Sequence, residues 1–211
     1  MLTLLTLLHL DEALIVVDKP AGLLAVPGRG DAKQDCVTAR VQRDWLDARV
    51  VHRLDMATSG LMLFARGAEA QRRLNRAFAA RQVGKRYVAV VDGRMPTECG
   101  CIELPLAADW PHRPMQRVDA VHGKPARTDW QVLDFDAAGQ ATRLALQPHT
   151  GRTHQLRLHL SAIGHPILGD ALYAPPAVQG RATRLLLHAC ALTLAHPVSG
   201  ECLHLHCEAP F

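Results

Sequence analysis

The feature of this 211-residue sequence that most constrains its fold is a series of short apolar runs that end in turn-forming residues. The first, LIVVD, is rich in β-branched residues and is followed by Lys-Pro-Ala-Gly. Runs of this kind are typical of β-strands, and several alternate between apolar and polar residues. We predict strands at Leu14–Asp18, Leu23–Val26, Leu61–Ala65, Tyr87–Val91, Thr128–Leu133, Arg143–Leu146, Leu185–Leu194 and Cys202–Cys207.

Helical spacing of apolar residues is confined to three segments, Cys36–Leu46, Glu69–Gln82 and Thr153–Ile163. The second is amphipathic, with Leu74 and Phe78 on one face and arginines around the other. Many strands with few helices, and no regular βαβ order, indicate an α+β domain built on a large, mostly antiparallel sheet flanked by helices. Because no repeat or linker interrupts the sequence, we expect one domain over 1–211.

Composition excludes several classes of protein. The six cysteines show no C-x-x-C pair and are too few for a secreted disulfide scaffold, so we expect reduced thiols. The apolar segment Leu2–Leu10 has no basic region before it and no cleavage site after it, and it is too short to cross a membrane. We therefore expect a cytoplasmic protein without membrane contact.

Positive charge is concentrated in one part of the chain. Overall, Lys+Arg exceed Asp+Glu only by 24 to 20, but Arg66–Arg94 holds eight basic residues against Glu69 and Asp92. Taken alone, this segment favours a solvated helix face over a binding surface. With a polyanionic partner it becomes a candidate contact surface.

Two segments contain candidate catalytic residues. In VVHRLDMATSGLMLFAR, Asp55 lies between two apolar runs, where a carboxylate can be a turn cap or a functional group. In PHTGRTHQLRLHLSAIGHPILGDALY, a helix beginning near Thr153 would place His154, Arg157 and Ser161 on one face. Arg157 is then expected to point away from the core.

Metal and hydrolase sites are alternative interpretations of these residues. His154 and His159 are five residues apart, and neither they nor the Cys202, His204 and His206 set have the spacing of a zinc motif. A Ser-His-Asp hydrolase would need a G-x-S-x-G turn, which the sequence lacks. We expect no metal.

A group of longer segments carries a family resemblance. They are LIVVDKPAGLLAVPG (Leu14–Gly28), HRLDMATSGL (His52–Leu61), KRYVAVV (Lys85–Val91), GRTHQLRLHL (Gly151–Leu160), GHPILGDALY (Gly164–Tyr173) and LLLHA (Leu185–Ala189). Together they resemble the RluA family of pseudouridine synthases over nearly the whole chain. The segment DWPHRPMQ at Asp109–Gln116 is similar to the branch of that family that acts on both transfer RNA and large-subunit ribosomal RNA.

The resemblance implies a pseudouridine-synthase-like fold with a basic cleft and an isomerase that converts uridine in RNA to pseudouridine without a cofactor. It makes Asp55 the catalytic aspartate, Arg157 its partner and Tyr87 the aromatic residue against the target base. Arg53 would fill space beside the flipped nucleotide. Many members of that family carry an extra N-terminal RNA-binding module, and we expect none to be appended to this catalytic domain. We expect a monomer without an obligate protein partner that acts on a loop uridine of the tRNA anticodon arm and of a 23S rRNA hairpin.

Elementary chemistry fits these roles. An Asp with a pKa of ~3.9 is ionised in water, but bound RNA excludes water and raises that pKa, which an adjacent guanidinium opposes. Flipping a base costs a few kcal/mol, which stacking and filling groups offset. The remaining residues that we expect to contact RNA are His52, Thr58, Arg72, Arg73, Arg76, Lys85, Arg86 and Arg152.

Three alternatives stay open at this point. A synthase acting on rRNA only would share every motif. A glycoside hydrolase normally needs two carboxylates ~5–9.5 Å apart, whereas one acidic residue lies in the HRLD motif. A non-catalytic RNA-binding protein would keep the basic residues but would not need Asp55, which repels phosphate.

Overall fold

The computed structural model describes residues 5–211, which contain twelve strands and four α-helices. In chain order they are β1 (Thr6–Leu10), β2 (Leu14–Lys19), α1 (Val37–Asp44), β3 (Ala48–Val50), β4 (Ser59–Arg66), α2 (Gly67–Ala79), β5 (Gly84–Asp92), β6 (Cys99–Glu103), β7 (Leu106–Ala108), β8 (Gln116–Val118), β9 (Arg127–Asp136), β10 (Ala141–Pro148), α3 (Gln155–Ala162), α4 (Pro176–Gln179), β11 (Leu187–Ala195) and β12 (Cys202–His206).

The chain divides into two compact units. The first contains the residues up to Gly84 together with Ala189–Pro210, and the second contains Lys85–His188 and Phe211. The expectation of one functional domain over the whole chain stays a prediction.

In the first unit the strands are ordered β1-β2-β4-β11, with β3 beside β4 and β12 beside β11. The strands β2 and β4 are apolar along nearly their whole length because both of their faces are covered. Leu14 and Val16 pack in one core that includes Leu74 of α2, whereas Ile15 and Val17 pack in a second core that includes Val41 of α1. Burial on both faces holds the ends of these strands in fixed positions.

In the second unit the order is β5-β10-β9-β6, and the three pairings between neighbours are antiparallel. Thr128 and Trp130 of β9 are buried while Gln131 is exposed, so one face of this sheet is covered and the other is open. The antiparallel hairpin β7–β8 is separate, and Leu106 of β7 packs with Leu158 of α3. The α+β class and the antiparallel pairing are as predicted.

Most predicted elements are present, and the differences have physical causes. The strand predicted at Leu23–Val26 is wrong, and Leu24 makes only an isolated bridge to Cys36. The carbonyls of this segment accept from Nζ of Lys19 and from N–H groups at the start of α1, not from a neighbouring strand. The helix predicted from Thr153 begins at Gln155, because His154 has a left-handed backbone with φ of 53°. Sequence patterns did not indicate β1, β3, β6, β7, β8 or α4.

Within residues 5–211 there is no helix with the length and apolar character needed to span a membrane.

Candidate active site

Asp55 lies in the loop that joins β3 to β4. It is half-buried, Leu54 before it is buried, and the Thr58 N–H donates to the Asp55 carbonyl at 3.1 Å, which closes a turn. Gly60, with φ of +111°, follows this turn, and a Cβ on it would lie 2.3 Å from the carbonyl oxygen of Ala189. The strand after the loop therefore requires glycine at this position.

Lys19 anchors the same loop, a role that sequence reasoning missed. Its side chain is fully buried at the end of β2, and Nζ donates to the carbonyl oxygens of Pro20, Leu23 and Met56 at 2.7–2.9 Å. Met56 directly follows Asp55, and its carbonyl also accepts from the Gly22 N–H at 2.9 Å. A lysine that ends the apolar strand Leu14–Lys19, directly after Asp18, was the available signal.

His52 has a structural role in the loop. The Leu63 N–H donates to Nε2 of His52 at 2.9 Å, and the imidazole stacks on Phe78 with ring centroids 5.0 Å apart. Because a backbone N–H can only donate, Nε2 carries no proton and the ring is neutral with its proton on Nδ1. His52 thus ties the loop to β4 and α2, and its contact with RNA stays a prediction.

Arg53 and Thr58 differ in accessibility. Arg53 is exposed two residues before Asp55, so it is available to a ligand. Thr58 is buried at 2 % exposure and braces the turn. A contact between the Thr58 side chain and RNA would require this turn to open.

Arg157 is buried in the second unit, and the expectation that it points away from the core is wrong. Its Nε and Nη2 donate to the two carboxylate oxygens of Asp170 at 2.8 and 2.6 Å, with side-chain exposures of 5 % and 0 %. The guanidinium also lies 5.2 Å from the ring centroid of Tyr173. The segment after α3 covers this helix face, which spacing within the helix could not reveal.

Asp170 is held as firmly as the arginine. One of its oxygens also accepts the backbone N–H groups of Leu172 and Tyr173, at 2.9 and 3.2 Å. A carboxylate with four donors fixes the plane of the guanidinium. Asp170 and Tyr173 are the second set of residues whose roles sequence reasoning missed, although both lie in the GHPILGDALY segment.

Tyr87 and Arg86 are neighbours on β5 and so face opposite sides of the sheet. Tyr87 is half-buried and lies opposite Leu146 of β10. Arg86 lines a cleft of about 590 Å³ together with Arg127 and Asp129. Arg86 therefore does not share the face on which Tyr87 lies.

The other predicted RNA contacts form the basic segment, which comprises Arg72, Arg73, Arg76, Lys85 and Arg86. Arg72 and Arg73 both pair with Glu69, at 2.5 and 3.0 Å, and Arg73 also donates to the carbonyl of Pro197. Arg76 is exposed, and Nζ of Lys85 donates to the Thr150 carbonyl at 3.2 Å. Separately, Nε of Arg152 donates to the Pro125 carbonyl at 3.2 Å.

The four histidines between Pro148 and Tyr173 have protein partners. His149 contacts Asp129 at 2.6 Å, His154 contacts the Tyr173 hydroxyl at 2.8 Å, and His165 contacts the Asp92 carbonyl at 2.9 Å. His159 is fully buried between the Thr128 hydroxyl and the Leu104 carbonyl, and burial lowers its pKa. These contacts assign structural roles to the cluster, and the expectation of no metal stays a prediction.

The two units thus provide different functional groups. The first provides a half-buried carboxylate on an anchored loop beside an exposed arginine, and the second provides a buried guanidinium and a half-buried tyrosine. A fixed carboxylate can act as a nucleophile or as a general base.

Comparison with known proteins identifies similar chains. The model of the family described as RNA pseudouridylate synthase matches residues 13–162. A curated Escherichia coli protein, dual-specificity RNA pseudouridine synthase RluA, is 48 % identical over 207 residues, covering 98 % of this chain and 94 % of that protein. The Yersinia pestis protein of the same name is 49 % identical over 204 residues, covering 97 % and 98 %.

A solved structure is similar in fold over nearly the whole chain. It is that of human RNA Pseudouridylate Synthase Domain Containing 1, with a TM-score of 0.82 and 29 % identity. The similarity covers 98 % of this chain and 84 % of the human chain. The fold predicted from the motif resemblance is confirmed.

Proposed function

This chain belongs to the RNA pseudouridylate synthase family, and we propose that Asp55 is the residue with which it isomerises uridine to pseudouridine in RNA. The observation that carries the proposal is the anchoring of the Asp55 loop. Lys19 donates three hydrogen bonds around this loop, and one of them reaches the carbonyl next to Asp55. A carboxylate on so fixed a loop can be aimed at one atom of a bound nucleotide.

The reaction breaks the C1′–N1 bond and rejoins the ring through C5. Asp55 can attack C1′, attack the base or remove a sugar proton, and each of these routes uses an ionised carboxylate beside the ribose. Arg157, by its place in the GRTHQLR motif, keeps Asp55 ionised when RNA excludes water. The bidentate contact with Asp170 supports this role because it holds the guanidinium in one orientation.

Tyr87 and Arg53 act on the nucleotide itself. Tyr87 stacks on the flipped base, and its hydroxyl is suited to relay the C5 proton. Arg53 fills the space that the base leaves in the RNA. The exposure of Arg53 and the half-buried position of Tyr87 support these assignments.

The substrates that we propose are a loop uridine of the tRNA anticodon arm and one of a 23S rRNA hairpin, modified in the cytoplasm. The name of the similar Escherichia coli and Yersinia pestis proteins, dual-specificity RNA pseudouridine synthase, supports two classes of substrate. A loop uridine is favoured because single-stranded bases can be splayed out, whereas a stem hides them.

The test uses isolated RNA hairpins labelled with tritium at uracil C5. Isomerisation releases that hydrogen while the RNA chain stays intact. Neither a glycosidase nor a binding protein would release it. We expect tritium release from both an anticodon stem-loop and a 23S rRNA hairpin. Release from the ribosomal hairpin alone would support the rRNA-only alternative, and release from neither would contradict the proposal.

A further inference from the structure

The loop between β7 and β8 displays an exposed aromatic side chain that the proposed chemistry does not use. Trp110 is 66 % exposed, and the guanidinium carbon of Arg113 lies 3.6 Å from the centroid of its ring. Arg113 is also exposed. One face of the indole is therefore covered by a cation, while much of the ring remains accessible to solvent.

This loop is held in a defined conformation. The Asp109 N–H donates to the Met115 carbonyl at 3.0 Å, and the Met115 N–H donates to the His112 carbonyl at 2.9 Å. The His112 ring contacts the Asp109 carboxylate at 3.0 Å. These bonds close the loop above its hairpin, so Trp110 and Arg113 are presented together without ordering on binding.

Tyr173 connects the same loop to the element that carries Arg157. The Gln116 N–H, at the end of the loop, donates to the Tyr173 hydroxyl at 2.8 Å. That hydroxyl also contacts His154, the residue that precedes α3, and the Tyr173 ring lies against Arg157. The loop is thus anchored within the second unit to the arginine to which we assign a role in catalysis.

We propose that the Trp110–Arg113 pair is a platform on which one unpaired base of the RNA loop stacks, with Arg113 facing a phosphate. The proposal rests on the proposed function and extends it to a recognition site for a second nucleotide. An aromatic ring offers a stacking surface to any base, and a stacked guanidinium retains its charge for the RNA backbone. Other highly exposed apolar residues, such as Leu46 and Val121, lack both features.

The test measures binding of the full chain to a short RNA hairpin and to hairpins in which each loop nucleotide in turn is abasic. Removal of the ring in Trp110→Ala should weaken binding to the intact hairpin roughly 5- to 150-fold. Trp110→Phe keeps a ring and should retain most of the affinity. Leu46→Ala, which removes an exposed apolar side chain elsewhere, should bind like the wild type.

One abasic position should weaken the wild type by the same factor and leave Trp110→Ala unaffected, because both changes remove the same stack. In turnover, Trp110→Ala should raise KM with little change in kcat. Equal RNA affinity of Trp110→Ala and the wild type would overturn the proposal and favour a protein partner for this loop. The proposal would also be overturned if Trp110→Ala bound every abasic hairpin more weakly than the wild type does by the same factor.

Failure of the platform is distinguishable from failure of the proposed function. If the wild type releases tritium but Trp110→Ala shows no coupling to any abasic position, only the platform is wrong. If coupling is found but the wild type releases no tritium, the isomerase assignment is wrong and the base contact stands.

Discussion

Replacing Asp170 by alanine should separate the structural from the catalytic consequence of the buried Arg157–Asp170 pair. The carboxylate accepts two bonds from the guanidinium and two from backbone N–H groups, and both side chains are almost completely buried. The substitution removes the buried carboxylate that accepts from Nε and Nη2 of Arg157. Removing one member of such a pair costs ~3–5 kcal/mol of unfolding free energy, because the other charge remains desolvated.

For a chain of this length, that loss corresponds to a decrease in Tm of roughly 6–20 °C. The free energy of unfolding would be measured by denaturant titration and turnover by tritium release. Asp44→Ala is the matched control, because the Arg43–Asp44 pair is exposed. Loss of this exposed ion pair should leave the denaturation midpoint nearly unchanged.

The double variant Arg157→Met with Asp170→Leu completes the experiment. Two apolar residues replace the pair without leaving a buried charge, so much of the stability lost in Asp170→Ala should return. Activity should not return, because the guanidinium is absent. A loss below ~1 kcal/mol in Asp170→Ala, or a double variant as unstable as the single one, would refute this account of the pair.

Three further predictions concern backbone strain, pH and salt. Gly60→Ala should destabilise the fold by more than ~3 kcal/mol, because its Cβ would collide with backbone atoms. Gly22→Ala also has a positive φ but open space around the Cβ, so it should cost only ~1–2 kcal/mol. Similar losses for the two variants would contradict the steric argument. Because burial lowers the pKa of His159, the unfolded chain binds a proton near pH 6.5 that the native state does not, so the free energy of unfolding should fall as pH falls below about 6.5. His159→Gln should reduce this pH dependence, and an unchanged slope would contradict the assignment. If the basic segment neutralises about five phosphates, raising salt from 50 to 200 mM should weaken RNA binding roughly 10²–10³-fold. An affinity that does not change with salt would indicate that the basic segment is a solvated surface without phosphate contacts.

Local sequence patterns predicted the central strands because their signal lies in their own residues. β2 and β4 are continuous apolar runs that two cores cover, and the amphipathic spacing of α2 matches its buried Leu74. β6, with the sequence CGCIE, carries no such signal. Its place in the sheet depends on pairing with β9, where Gly100 lies opposite Trp130.

In the candidate site, too, local patterns indicated some residues, whereas roles that depend on distant partners were missed. Motifs made Asp55 and Arg157 candidates, but they did not indicate the anchoring role of Lys19, because one of its acceptors belongs to Met56, 37 residues away. Spacing within α3 predicted an arginine directed away from the core, whereas Asp170, 13 residues further along the chain, makes burial of that arginine possible. Partners that the fold brings together from distant positions cannot be read from periodicity.

The most direct test of the central claim is the turnover of RNA tritiated at uracil C5 by Asp55→Asn, measured beside its affinity for the same RNA. The carboxamide is nearly isosteric and removes a negative charge that repels phosphate, so we expect no release above background with affinity equal to or higher than that of the wild type. Asp47→Asn, which changes a half-exposed carboxylate paired with Arg66 in the same unit, should retain activity. Measurable tritium release by purified Asp55→Asn would contradict the assignment of Asp55 as the catalytic residue.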